Sequence, residues 1–165
     1  MRVKCFKPVI DKNCKILILG SMPSVKSREV QFYYGNPSNR FWKILSKITG
    51  ADFIAMTKEE KINELLVRHI ALFDVFSSCE ITGSSDGTIK NAELNDILSL
   101  IAPTDIRKIY VTSKKAFVRF TERYGKELDA LGVKVINLPS PSAANRAKFR
   151  TDDSLLSEWK RLLSL

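Results

Sequence analysis

A chain of 165 residues, 44% hydrophobic and 27% charged, has the size and make-up of one globular domain rather than a disordered or fibrous protein. Lysine and arginine outnumber aspartate and glutamate 27 to 18, a formal net charge of +9. That excess favours a polyanionic partner, DNA or RNA, whose phosphates it would neutralise. No apolar run approaches the roughly 20 residues a membrane helix needs, and the opening MRVKCFKPVIDKNCK lacks a secretion signal's apolar stretch.

The first element is KILILGS, Lys15 to Ser21, an apolar β-branched run that reads as a central parallel strand. Phe41, Ile44, Leu45 and Ile48 share one face of a helix expected over 39–48. Thr57 with Glu60 forms a capping box opening a second helix to about His69. IALFDVF, Ile70 to Phe76, is a second strand, and the polar, glycine-containing 77–90 segment reads as a loop at its carboxyl end. A helix is expected from Glu93 to Ile101, a third strand over Lys108–Thr112 and a helix from Lys114 to Tyr124. A fourth strand over Val133–Pro139 and a helix from Asp152 to Leu163 complete the chain. Strands alternating with helices predict a single-domain three-layer α/β/α fold with a central four-stranded parallel sheet.

Cys5, Cys14 and Cys79 are scattered and odd in number, which argues against a disulfide framework and for a reducing, cytoplasmic setting. No C-x-x-C pair exists, and His69, the sole histidine, ends an amphipathic helix. Neither a metal site nor a cofactor is expected.

The residues that carry chemistry lie elsewhere. YYGNPSNRFW, Tyr33 to Trp42, places aromatic rings beside neutral amides with no acidic group. A hydrophobic core has no use for the amides, and a solvent loop has none for the rings. A pocket that stacks a flat ligand and reads its edge uses both. In a parallel sheet ligands bind at the carboxyl ends of the strands, where GSMPSVKS, the 79–90 segment, TSKK and PSPSAANR fall. Their small hydroxyls, lysines and helix starts suit phosphates. No G-x-x-x-x-G-K-[ST] follows any strand, so a P-loop is excluded.

LGSMPSVKS, YYGNPSNRFW and LPSPSAANR, in that order and spacing, resemble the uracil-DNA glycosylase superfamily, above all its hypoxanthine-DNA (deoxyinosine) glycosylase branch. Gly83, Ser84 and Asp86 fit the same branch, and mismatch-specific uracil glycosylases are near neighbours. The resemblance spans residues 15–150 and implies a monofunctional glycosylase of base excision repair. Such an enzyme flips a deaminated base out of DNA and hydrolyses its bond to deoxyribose. It implies Tyr34 as the ring on which the base stacks, with Gly20, Ser21, Met22, Pro23, Asn36 and Ser113 around the base. Ser24, Lys26, Ser27, Lys114, Ser140, Ser142, Asn145 and Arg146 would hold the DNA.

Two departures matter. Met22 stands where many members carry a catalytic Asp or Asn, and the second motif, Ser140 to Arg146, has no histidine. The branch's pattern implies Asn39 as the catalytic residue. An amide orients water but is a poor base, which implies dissociative cleavage with the charge on the departing base stabilised by hydrogen bonds. Asn39 is also suited to cap the following helix, and the two roles can coexist. Ala144 stands where relatives place a larger wedge, leaving Asn145 or Arg146 to fill the gap. The expected partner is DNA containing a deaminated base, bound by a monomer away from membranes. A uracil glycosylase with the same pocket and a catalytically silent nucleic-acid-binding module are the competing readings.

Overall fold

The computed structural model describes residues 2–164, without the side chains of Arg146 and Ala147. Four parallel strands form the central sheet: β2 (Ile16–Gly20), β3 (Ile70–Asp74), β6 (Lys108–Val111) and β7 (Lys134–Asn137), in the order β3-β2-β6-β7. Every residue of β2 and β3 is buried, because both faces of the sheet are covered. The strand period of two splits their side chains between two cores. Leu17, Leu19, Ala71 and Phe73 face one, and Ile16, Ile18, Ile70 and Leu72 face the other.

On the second face lie α2 (Phe41–Thr49), α3 (Lys58–Val67) and α6 (Asp152–Leu162), supplying Phe41, Ile44, Leu45, Leu65, Leu155 and Trp159 to the core. Thr57 and Glu60 cap α3 reciprocally, as their spacing predicts. On the first face lie α4 (Ile97–Ile101) and α5 (Lys114–Ala130), whose Phe120, Tyr124 and Leu128 are buried. The short helix α1 (Val25–Val30) follows β2.

Three expectations are corrected. The 77–90 segment is not all loop, because β4 (Phe76–Glu80) and β5 (Lys90–Leu94) pair antiparallel, with β1 (Arg2–Lys4) on the far side of β4. This small sheet buries Val3, Phe76 and Cys79 in the same core as α5. The helix expected from Glu93 begins only at Ile97, where Asp96 caps it by accepting the Ser99 N–H at 3.1 Å. The helix expected to stop at Tyr124 runs on to Ala130. Among the described residues no helix is long and apolar enough to cross a membrane.

Candidate active site

From β2 the chain moves first to β3 on one side and later to β6 on the other, so the crevice between the carboxyl ends of β2 and β6 is the topological switch point. A cleft of about 360 Å³ opens there, large enough for a small flat ligand. It is built from the end of β3, the loops after β2, β6 and β7, the loop between β4 and β5, and the segment ahead of α2.

Gly20 ends β2 opposite Asp74, the last residue of β3. A Cβ at Gly20 would stand 2.7 Å from Asp74 Oδ1 and 3.3 Å from the Tyr34 hydroxyl. Only glycine lets these two groups close on the strand end. The next residue, Ser21, donates to Asp86 Oδ1 at 2.6 Å and so ties the loop after β2 to the loop between β4 and β5. Val25 N–H donates to Ser84 Oγ at 2.9 Å, a second tie between the same segments. Met22 and Pro23 complete this wall, with Met22 half-buried against the first core.

Tyr34 adopts the left-handed backbone conformation, φ 51°, which turns its ring back across the sheet end. One ring face lies on Phe41, with centroids 3.8 Å apart and planes 11° from parallel. The Tyr34 hydroxyl is 3.3 Å from Thr112 Oγ1, beyond the end of β6. Phe41 and Trp42 are buried and pack in the second core. A stacked ligand therefore has the opposite face of Tyr34.

Asn39 also lines the cleft. Its Oδ1 accepts the Phe41 N–H at 2.9 Å, and its own N–H donates to the Asn36 carbonyl at 2.9 Å. The helix N-cap is Arg40, not Asn39, yet the Asn39 side chain still satisfies a first-turn amide. With Oδ1 so held, Nδ2 is the end with no partner among the described residues. Asn36 shapes the turn: its Oδ1 accepts the Ser38 N–H at 3.0 Å and the Ser38 hydroxyl at 2.9 Å.

Ser113, beneath the cleft, caps α5 by accepting the Ala116 N–H at 3.2 Å. Ser24 caps α1, and the Ser27 hydroxyl is buried between Ser24 Oγ and the Gly35 N–H. Ser27 thus holds the cleft wall together and is not presented to a phosphate. Lys26, paired with Glu29 at 3.0 Å, and the exposed Lys114, its Nζ 5.4 Å over the Phe117 ring, lie outside the cleft. The far wall is a self-bonded turn. Ser140 Oγ accepts the Ser142 N–H, Ser142 Oγ accepts the Ala144 N–H, and Asn145 Nδ2 donates to the Ser140 carbonyl at 3.0 Å. Ala144 is exposed at its tip. The Arg146 side chain lies outside the described residues.

Three residues that the sequence reading passed over are central. Arg40, 2% exposed, donates to the Phe149 carbonyl at 2.7 Å and approaches Asp152, while its N–H donates to the Pro141 carbonyl at 2.9 Å. It fastens the far wall to the start of α2. Thr112 meets Tyr34, and Asp74 forms the floor. Burial drives the Asp74 carboxyl up to about 7, with repulsion from Asp86 adding to it. Asp74 had one signal in the sequence, a lone charge near the end of the apolar run IALFDVF. Among the described residues no group of three His, Cys, Asp or Glu could hold a metal ion.

A cleft at the switch point of a parallel sheet, one wall an aromatic ring and its floor a carboxyl, defines an α/β protein with a recess whose shape and polarity suit a flat polar ligand. The comparisons with known proteins narrow the class. Residues 7–163 match the model of the uracil DNA glycosylase superfamily. The hypoxanthine DNA glycosylase of Methanosarcina acetivorans is 38% identical over 157 residues, 94% of either chain. That of Methanosarcina barkeri is 35% identical over 156 residues, 93% of this chain and 95% of its own. The solution NMR structure of a candidate uracil DNA glycosylase from Methanosarcina acetivorans superimposes with a TM-score of 0.81 at 36% identity, covering 98% of this chain and 96% of that one. The chain belongs to the uracil DNA glycosylase superfamily.

Proposed function

We propose that this protein is a hypoxanthine-DNA glycosylase that removes the deaminated base from DNA by hydrolysis. The observation that carries the reading is a ring and an amide facing one cleft, Tyr34 and Asn39, in a chain more than a third identical to relatives of that name. The flipped base stacks on the free face of Tyr34 and abuts the strand ends at Gly20, Met22 and Ser113. Asn39 orients the water through Nδ2, its other end being held by the Phe41 N–H. The glycosidic bond breaks with its electron pair going to the base, and the oriented water traps the sugar cation. Ser140, Ser142, Asn145 and Arg146 meet the duplex around the gap. The protein acts as a cytoplasmic monomer of one domain.

The test is to incubate the protein with end-labelled duplexes carrying one inosine, one uracil or neither, treat with alkali and resolve the fragments. Alkali-dependent breaks at inosine support the reading. Breaks at uracil alone replace it with a uracil glycosylase, and intact strands in all three overturn it.

A further inference from the structure

Asp74 is 4% exposed and lines the floor of the cleft. Its Oδ2 is buried with no hydrogen-bond partner among the described residues. A buried carboxyl without a partner is costly, and buried polar groups are otherwise satisfied almost without exception. The ionisable groups that face it are the Asp86 carboxyl from the loop between β4 and β5, the Tyr33 and Tyr34 phenols, and the Cys5 thiol from the segment after β1. None of them is a cation. Among the described residues nothing compensates an Asp74 charge, and Asp86 opposes it. The neighbouring Ser21 and Asn95 do not relieve it, because Ser21 donates to Asp86 and the Asn95 amide to the Asp74 backbone carbonyl.

We propose that Asp74 is a catalytic residue that works as a neutral carboxylic acid, its O–H donating to a carbonyl oxygen of the flipped base and its C=O accepting the adjoining ring N–H. The proposal rests on the glycosylase reading. Deamination leaves a base with a lactam edge, a ring N–H beside a C=O, and a neutral carboxyl presents the matching acceptor and donor on adjacent atoms. When the bond from the sugar C1′ to the base nitrogen breaks, both electrons go to the base and spread onto that carbonyl oxygen. A donor fixed there stabilises the transition state more than the ground state. A carboxyl kept protonated by an apolar site is a known way to supply it. Asp74 keeps its proton throughout: the water oxygen bonds C1′, and the water's proton passes through solvent to the base nitrogen. An ionised Asp74 would repel the same oxygen. This supplies the polar group that Met22 and the histidine-free second motif lack.

The test compares single-turnover excision from an inosine duplex between pH 5 and 9 for the wild type, Asp74→Asn and Asp74→Ala, alongside a ¹³C NMR titration of the Asp74 carboxyl in the free protein. The expected wild-type rate is level on the acid side and falls about tenfold per pH unit above roughly 7. Asp74→Asn, whose amide offers donor and acceptor but does not titrate, should be about tenfold slower on the acid side and level throughout. Asp74→Ala should lose about a hundredfold or more at acid pH, with a thermal melt confirming that it is folded. An Asp74→Asn profile that still falls with pH, or an Asp74→Ala variant as fast as the wild type, overturns the proposal. So does a carboxyl that titrates in the ordinary range, whatever the activity. Wild-type protein inactive at every pH would overturn the glycosylase reading instead, and the titration would then judge the state of Asp74 separately.

Discussion

The ring of Tyr34 lies flat on the ring of Phe41, 3.8 Å between centroids, so the fully buried Phe41 backs the surface offered to a ligand. A ring fixed from behind loses little freedom when a base stacks in front. Tyr34→Ala should therefore weaken capture of an inosine duplex by about 1–3 kcal/mol while leaving undamaged duplex nearly unchanged. Fluorescence anisotropy on both duplexes measures the difference, and equal losses would mean that the ring does not meet the base.

Asn39 accepts the Phe41 N–H and, in the proposed mechanism, orients the water; substitution separates the two. Asn39→Ala removes the acceptor for the Phe41 N–H and should cost about 1 kcal/mol of stability, along with nearly all excision. Asn39→Asp keeps the acceptor and should melt close to wild type. If donation from Nδ2 to the water or base matters, it will excise almost as poorly as Ala; an Asp variant of near wild-type rate would assign Asn39 to water positioning through oxygen.

The side chain of Arg40 is buried between the start of α2 and the carbonyls of Ser142 and Phe149. Breaking such a buried charged network by removing one member costs about 3–5 kcal/mol. Arg40→Met should lower the melting temperature by roughly 10 °C and loosen the 140–149 wall, seen as faster amide exchange confined to that segment.

The free energy of folding should carry the mark of Asp74. Its carboxyl lies at about 7 in the folded protein against an ordinary 3.8. Between those values the folded chain holds a proton that the unfolded chain has released. That contribution is complete at the acid end and is lost as pH rises through about 7. Wild-type stability should fall across this window by up to about 1.4 kcal/mol per pH unit relative to Asp74→Asn. Urea melts at several pH values give the slope, and parallel curves for the two proteins would exclude it.

Binding to undamaged DNA should be strongly salt-dependent, given the net charge of +9. Each phosphate neutralised contributes about 0.9 to the negative slope of log affinity against log salt concentration. A flat plot would argue against a DNA-binding surface.

The central sheet was legible because KILILG and IALF are continuous apolar runs, which only strands buried on both faces require. The hairpin of β4 and β5 was hidden for the opposite reason. Its residues are largely polar, its register shifts twice, and β5 shows no buried residue. Glu93, Leu94, Ile97, Leu98 and Ile101 imitate a helical stripe, and only the cap at Asp96 marks the true start. In the cleft, the amides and rings before α2 announced themselves by composition. Asp74 and Arg40 did not, since their weight comes from burial and from partners far away in sequence, Gly20 for one and Phe149 for the other.

The cleft also depends on the chain's last stretch. Trp159 of α6 packs edge-on against Phe41 at 5.9 Å and donates its indole N–H to the Pro139 carbonyl, while the Ser164 N–H donates to the Tyr110 hydroxyl of β6. The ring that backs Tyr34 is therefore held by residues translated some 120 positions later than itself, by the interval from Phe41 to Trp159. A change in α6 is therefore felt at the Tyr34 ring through Phe41, although the helix itself lines no part of the cleft.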